Sequence, residues 1–102
     1  MNEIELGHDH WLRWVAWAPD RELNPQYAHL PDMPRYAAIV RHTKPDGDQC
    51  EGMITFDSPV ARELERGEMW NVASWDPLTL SPSLLCHCGD HGFIVDGRWV
   101  PA

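Results

Sequence analysis

Proline and glycine are spread along the whole chain and limit its possible folds more than any other feature. Nine prolines and seven glycines interrupt 102 residues, so the sequence has no room for long helices. The longest apolar run is far too short to cross a bilayer. A chain of this length buries only about 60 to 70% of its unfolded surface. We therefore predict one small, loop-rich domain over residues 1–102, with a core that needs additional support.

Short segments of strand-forming residues lie between the turn signals. The turn over residues 44–48 joins two of them into a hairpin that carries Cys50 on its returning strand. The pair Asp96-Gly97 is typical of a two-residue turn between the last two strands. The predicted strands cover residues 12–18, 36–42, 52–56, 68–75, 78–80, 93–95 and 98–100.

One short helix is predicted near residues 59–66. Ser58 can cap its start, Pro59 suits its first turn, and Gly67 can end it. By contrast, residues 19–34 contain four prolines and few apolar side chains, which predicts a long surface loop. The fold class is therefore mostly β (a small α+β protein), with a compact antiparallel sheet and one short helix.

Acidic residues outnumber basic ones by sixteen to eight, which gives a formal net charge of −8. Such a charge disfavours partners that bind through their phosphates, so we expect a protein partner rather than nucleic acid. Two roles related to nucleic acids stay open. One is binding through a local basic patch at Arg35, Arg41 and Lys44, and the other is mimicry of DNA phosphates by acidic side chains. The first residues lack the basic start of a secretory signal, so we expect a cytoplasmic protein.

Six tryptophans are many for this length, and Trp11, Trp14 and Trp17 fall in one segment. Large rings can fill a small core, which is the simpler interpretation. The alternative is that exposed rings form a binding face.

Closely spaced cysteine and histidine residues predict a metal-bound turn near residues 86–91. The run Cys86-x-Cys88-x-x-His91 offers three ligands of the types that zinc prefers. Gly89 permits the left-handed backbone that lets the chain wrap around an ion. Three cysteines cannot all pair within one chain, and Cys86 with Cys88 would close only a strained ring, so thiolates on metal fit better.

The fourth ligand has to come from elsewhere in the chain. Cys50 is the chemically natural choice, so the predicted site is Cys50, Cys86, Cys88 and His91 around a structural Zn²⁺. The alternatives, in order, are His42, His87, His8 and His10, or a water molecule. His8 and His10 flank Asp9 and could also chelate a second ion.

The segment from Trp70 to Trp99 resembles a family of small bacterial and actinobacteriophage proteins without an assigned activity. The resemblance rests on Thr79-Leu80-Ser81-Pro82-Ser83, Cys86-x-Cys88-Gly89-x-His91-Gly92-Phe93-Ile94 and the closing Gly97-Arg98-Trp99. It implies a zinc-binding, β-rich module, and some relatives are associated with ubiquitin-like conjugation systems. Where those relatives carry an upstream Cys-x-Cys-Gly segment, this chain has Cys50 alone.

Three functions are consistent with these features. The first is a non-enzymatic, zinc-stabilised accessory protein of a phage, which binds a protein partner in the host cytoplasm. The second is a zinc-dependent hydrolase, with water at an open coordination position and Asp90 or His87 as proton carrier. The third is a virion structural or assembly protein. We expect the first, and therefore no enzymatic activity.

Overall fold

The computed structural model describes residues 2–65 and 67–102. These residues form nine strands, one α-helix and a short 3-10 helix at Pro25–Tyr27. The mostly β fold class, with antiparallel sheets and one short helix, is confirmed. The elements in chain order are β1 (Ile4–Gly7), β2 (His10–Trp17), β3 (Met33–Thr43), β4 (Gln49–Thr55), α1 (Pro59–Leu64), β5 (Asn71–Trp75), β6 (Leu78–Ser81), β7 (Leu84–Leu85), β8 (His91–Val95) and β9 (Arg98–Pro101).

The first four strands form one antiparallel sheet in the order β1-β2-β3-β4. The predicted turn at 44–48 joins β3 to β4, and the Lys44 amide donates a hydrogen bond of 2.8 Å to the Asp48 carbonyl oxygen. This turn sets a register in which His42 lies opposite Cys50. Strand β3 begins at Met33, earlier than predicted, because Met33 pairs with Trp17 on β2.

The remaining strands form a two-stranded sheet, β5-β6, and a three-stranded sheet, β7-β8-β9. Asp96 and Gly97 both have positive φ (+50° and +74°), as the predicted two-residue turn requires. Gly92 on β8 lies directly beneath the ring of Trp99. A Cβ at this position would lie 2.5 Å from the ring, so only glycine permits this close packing.

Helix α1 begins as predicted. The Ser58 hydroxyl accepts a hydrogen bond of 3.0 Å from the Ala61 amide, and Pro59 occupies the first turn. The helix ends at Leu64, where the backbone of Glu65 becomes extended. The predicted end at Arg66 lies outside the described residues.

Two apolar clusters stabilise the fold. The first lies between the four-stranded sheet and the C-terminal strands, and it includes Leu6, Leu12, Val40, Ile54, Phe56, Leu78, Leu80, Leu84, Ile94 and Trp99. The second lies beneath α1 and consists of Leu30, Tyr36, Ala37, Val60 and Ala61. Within the described residues, no helix has the length and apolar character needed to cross a membrane.

The tryptophans of β2 divide between the two clusters. Trp14 packs against the first and Trp17 against the second, where its ring meets Tyr27 edge to face at 5.4 Å. Trp11 is half-buried beneath the guanidinium of Arg41, 4.1 Å from the ring centroid. All three rings are half-buried, and only Trp14 and Trp17 pack against the clusters, so the rings fill the core less completely than the simpler interpretation predicts.

The predicted basic cluster is balanced by acidic neighbours, because each of its side chains lies beside a carboxylate. The pairs are Arg35 with Asp76 at 3.7 Å, Arg41 with Glu3 at 2.8 Å, and Lys44 with Asp46 at 3.7 Å.

Candidate metal centre

Four side chains of metal-ligating types converge from two distant parts of the chain. They are His42 near the end of β3, Cys50 at the start of β4, and Cys86 and Cys88 in the turn between β7 and β8. Their donor atoms all lie within 4.8 Å of one another. The shortest separations are 3.2 Å from His42 Nε2 to Cys88 Sγ and 3.3 Å between Cys50 Sγ and Cys86 Sγ. This group could hold a metal ion.

The β3-β4 hairpin supplies the first two donors. His42 and Cys50 are directly opposed across the two strands, so their side chains project to the same face. Both are buried, with 5% and 8% of their surface exposed. The hairpin therefore presents a buried imidazole-thiol pair on one face.

The turn after β7 supplies the other two donors. The Cys86 amide donates to the Asp90 carbonyl oxygen at 2.8 Å, and the Gly89 amide donates to the Cys86 carbonyl oxygen at 2.9 Å. Gly89 has a φ of +97°, the left-handed conformation that the sequence predicts there. This compact turn brings both of its cysteine sulfurs to the hairpin.

The structure places His91, the third local ligand that the sequence predicts, outside the group. His91 is the first residue of β8 and pairs with Leu85 across the β7-β8 ladder. Both side chains are exposed on the outer face, whereas the next pair, Leu84 and Gly92, is buried. His91 Nε2 lies 2.9 Å from Ser83 Oγ. Strand alternation thus turns His91 away from the cysteines, and His42 takes the imidazole position.

From the sequence, His42 is only an alternative fourth ligand. Its position beside Cys50 nevertheless follows from the hairpin turn that the sequence predicts. A hairpin turn centred on residue 46 pairs residues whose numbers are equally far from it, which makes His42 the partner of Cys50. The predicted turn at 44–48 has this centre. The register of the hairpin, rather than spacing along the chain, identifies the imidazole that lies with the three sulfurs.

The surroundings of the thiols favour a bound cation. A hydrogen bond from the Asp90 backbone amide, with further help from His42, lowers the pKa of Cys88 to about 7. Hydrogen bonding to Cys86, together with burial, raises the pKa of Cys50 to about 12. Three thiolates this close would repel one another, so complete ionisation requires a nearby positive charge. A divalent ion would supply it.

Two polar side chains, His10 and Asp90, lie next to His42 and outside the group of four donors. His10 Nε2 is 2.6 Å from Asp90 Oδ2, and the same oxygen is 3.8 Å from His42 Nδ1. His10 also stacks on Trp99, with ring centroids 4.0 Å apart. His10, His42 and Asp90 form a second group whose donor atoms lie within 4.8 Å. His8 contributes its carbonyl oxygen to His10 rather than its ring, so the two do not form the predicted chelating pair.

A cavity of about 170 Å³ opens beside the metal-binding group. Its apolar walls include Val40, Ile54, Trp70, Leu84 and Trp99, while Cys86, His87 and Asp90 line its polar end. The His87 ring lies beside two donor sulfurs, 3.9 Å from Cys50 Sγ and 3.6 Å from Cys86 Sγ. The metal-binding group therefore borders a space that is open to solvent.

Comparison with family models, with curated proteins and with solved structures finds no match to this chain. The resemblance of residues 70–99 to small bacterial and phage proteins stays a prediction. What the protein does has to be argued from the metal-binding group and its surroundings.

Proposed function

We propose that this protein is a small, non-enzymatic accessory protein, stabilised by one structural zinc ion, that acts by binding another protein. The observation that carries the proposal is the convergence of His42, Cys50, Cys86 and Cys88. Cys50 and Cys86 are 36 residues apart, and an ion between them would tie the N-terminal sheet to the C-terminal strands. A small core that needs support gains most from such a link.

The donor set favours zinc over other common ions. Three sulfurs and one imidazole nitrogen match a structural zinc site, whereas magnesium and calcium prefer oxygen ligands. In a tetrahedral site with zinc-sulfur bonds of about 2.3 Å, the sulfurs lie roughly 3.8 Å apart. The Cys50 and Cys86 sulfurs, 3.3 Å apart, would need only a small outward shift.

The same donor set argues against the hydrolase. A catalytic zinc keeps one position open for water, but here four side chains are available to fill all four positions. Three thiolates also donate negative charge to the ion, which weakens its ability to acidify water. The proposed role of the ion is therefore structural.

Metal analysis of purified variants tests this role. The wild type should contain one zinc per chain, and Cys50→Ser, Cys86→Ser and His42→Ala should lose it and unfold at a lower temperature. His91→Ala is the matched control, because it removes an imidazole from the same turn but not from the group. If His91→Ala loses zinc while His42→Ala keeps it, the proposed ligand set is wrong. Absence of zinc from the wild type would reject the proposed function.

Exposed apolar side chains beside the cavity support a protein partner. Leu85 and Met53 are 69% and 59% exposed and stand at the edge of its apolar walls. Large apolar groups at the mouth of an open cavity are typical of interaction sites. A partner captured from bacterial lysate by zinc-loaded protein should be lost in Leu85→Asp. It should be kept in Leu23→Asp, which changes an equally exposed leucine in the proline-rich loop. Equal binding by both variants would remove this surface from the proposal.

The phage context rests on the resemblance of residues 70–99 alone. A virion protein is the competing role, and both could use the same fold. Mass spectrometry of purified particles separates them, since an accessory protein should be found in infected cells and not in particles at a fixed stoichiometry. Stoichiometric recovery from particles would favour the virion role.

A further inference from the structure

We infer that Asp90 and His10 form a positioning pair that holds the metal ligand His42 in its binding orientation. This inference rests on the proposed zinc site and extends it outward from the four donors. Neither residue is a ligand in the proposed set, and both contact His42 from behind.

His10 is held in place by contacts on three sides. Its Nδ1 lies 2.6 Å from the carbonyl oxygen of His8, and because a carbonyl oxygen only accepts, Nδ1 is the donor. Its ring stacks between Trp99 and His42, at 4.0 and 5.1 Å between centroids. Only 5% of the residue is exposed. His10 therefore presents Nε2 in one fixed direction, toward Asp90.

The turn that positions His10 is itself constrained. His8 and Asp9 have φ values of +51° and +59°, a left-handed conformation that residues other than glycine rarely adopt. The Asp9 carbonyl oxygen accepts a hydrogen bond of 3.1 Å from the Thr43 amide, next to His42. The turn between β1 and β2 is thus tied to the strand that carries the ligand.

Asp90 connects this pair to the metal-binding group. Its Oδ2 is 2.6 Å from His10 Nε2 and 3.8 Å from His42 Nδ1. When His42 Nε2 binds the ion in place of donating to Cys88, the ring proton is left on Nδ1, which faces this carboxylate at 3.8 Å. A carboxylate behind a metal-binding imidazole fixes its tautomer and raises its basicity. The Asp90 backbone also forms hydrogen bonds with both cysteines of the turn: its carbonyl oxygen accepts from the Cys86 amide, and its amide donates to the Cys88 sulfur. Asp90 therefore contacts three of the four donor residues.

A second metal ion at His10, His42 and Asp90 is the competing interpretation. The ligands of a tetrahedral zinc, at about 2.0 Å from the ion, lie roughly 3.3 Å apart. The 2.6 Å separation of His10 Nε2 and Asp90 Oδ2 is shorter than this and has the length of a charge-assisted hydrogen bond, in which both ring nitrogens of His10 are donors. The distances therefore favour a hydrogen-bonded pair.

Zinc affinity, measured by competition with a chromophoric chelator, tests the inference. Asp90→Ala and His10→Gln should each bind one zinc about 10 to 100 times more weakly than the wild type, the range expected for outer-shell partners. Asp90→Asn should recover part of the loss, because its side-chain oxygen can accept from His10 Nε2 and face His42 Nδ1 as the carboxylate does. His29→Gln is the matched control, since it breaks a histidine-carboxylate contact of 2.6 Å on the exposed surface. Its affinity should equal that of the wild type.

Nitrogen NMR of the zinc-loaded wild type gives a second readout that does not depend on variant folding. His42 should show a metal-bound Nε2 and a protonated Nδ1. A metal-bound Nδ1 would overturn the inference.

The outcomes distinguish this inference from the proposed function. If the wild type binds one zinc and both variants bind it within threefold of the wild type, the positioning pair is wrong and the zinc site stands. Two zinc ions per chain, with one lost in His10→Gln, would replace the pair by a second metal site. A wild type without zinc would reject both proposals.

Discussion

Cys88 and Cys50 offer the same sulfur atom to the group, but their surroundings give them opposite reactivity. Cys88 is exposed and has its pKa lowered to about 7, while Cys50 is buried and has its pKa raised to about 12. Because the thiolate is the reactive form, iodoacetamide at pH about 8 should modify Cys88 first and Cys50 last in metal-free protein. Mass spectrometry of digested samples taken over time measures the order.

The pH dependence of this reaction has a definite sign. The rate at Cys88 should rise as the pH passes through about 7, while Cys50 should stay unreactive until far higher pH. Bound zinc should protect all three cysteines. Fast modification of Cys50 at neutral pH would show that its surroundings are not those described.

At this scale the sequence identified most of the candidate group. Cys50, Cys86 and Cys88 lie together as expected, since thiols are few and their chemistry narrows the choice. The imidazole was harder to assign, because His91 is nearer in the chain while His42 is nearer in space. Proximity along a chain says little about direction when the chain enters a strand, where neighbouring side chains point to opposite faces.

Among the elements, the β8-β9 hairpin depends most on a single residue. Gly92→Ala would place a Cβ 2.5 Å from the Trp99 ring and 2.8 Å from the Val100 carbonyl oxygen. Since Trp99 is 4% exposed and packed in the core, it cannot move aside freely, and we expect a loss of about 1 to 3 kcal/mol or more. Chemical denaturation of the zinc-loaded protein measures the loss.

Gly52→Ala is the control for that substitution. Gly52 lies on β4, and a Cβ there would meet no atom within 4 Å. Its stability should stay within about 0.5 kcal/mol of the wild type. Equal losses for both variants would mean that the close approach to Trp99 is not the cause.

Helix α1 depends on its cap. Ser58→Ala removes the hydroxyl that accepts from the Ala61 amide, and it should lower the free energy of unfolding by about 1 kcal/mol without changing zinc content. Ser83→Ala removes a hydroxyl that contacts the exposed His91, so it should have little effect. Denaturation of both variants beside the wild type makes the comparison. If Ser83→Ala lost more free energy of unfolding than Ser58→Ala, Ser58 would not be the cap that stabilises α1.

The elements were largely predictable where local signals are strong. The turn at 44–48, the Asp96-Gly97 turn and the capped helix all appear where the sequence indicates them. Strands β1 and β7 were not predicted, because each is short and depends on its partner. Leu84–Leu85 forms a strand only through pairing with β8, which no local pattern reveals.

For the molecule as a whole, the metal-binding group and the second apolar cluster lie in different regions. Removal of zinc should therefore increase amide hydrogen exchange in the 86–90 turn and at the end of the β3-β4 hairpin, while α1 keeps its protection. Exchange measured by mass spectrometry with and without a chelator tests this. Zinc-loaded His91→Ala should match the wild type, and a uniform increase along the chain would contradict a local role for the ion.

The assembly of the three sheets could not be predicted from the sequence. Strand β6 lies beside β8, and β1 lies beside β9 from the opposite end of the chain. Such long-range contacts depend on the shapes of the assembled faces, whereas sequence patterns report mainly local preferences. The proline and glycine content limited the class of fold, but it did not specify this arrangement.

The division of the four donors between residues 42–50 and 86–88 also determines the order in which they become available during synthesis. A ribosome releases the histidine and the first cysteine well before the last two cysteines, because Cys86 follows Cys50 by 36 residues. Before then the nascent chain can offer an ion two donors at most. Zinc capture would thus mark the point at which synthesis has passed Cys88, and a chain that stopped short of Cys86 could not bind the ion through all four donors.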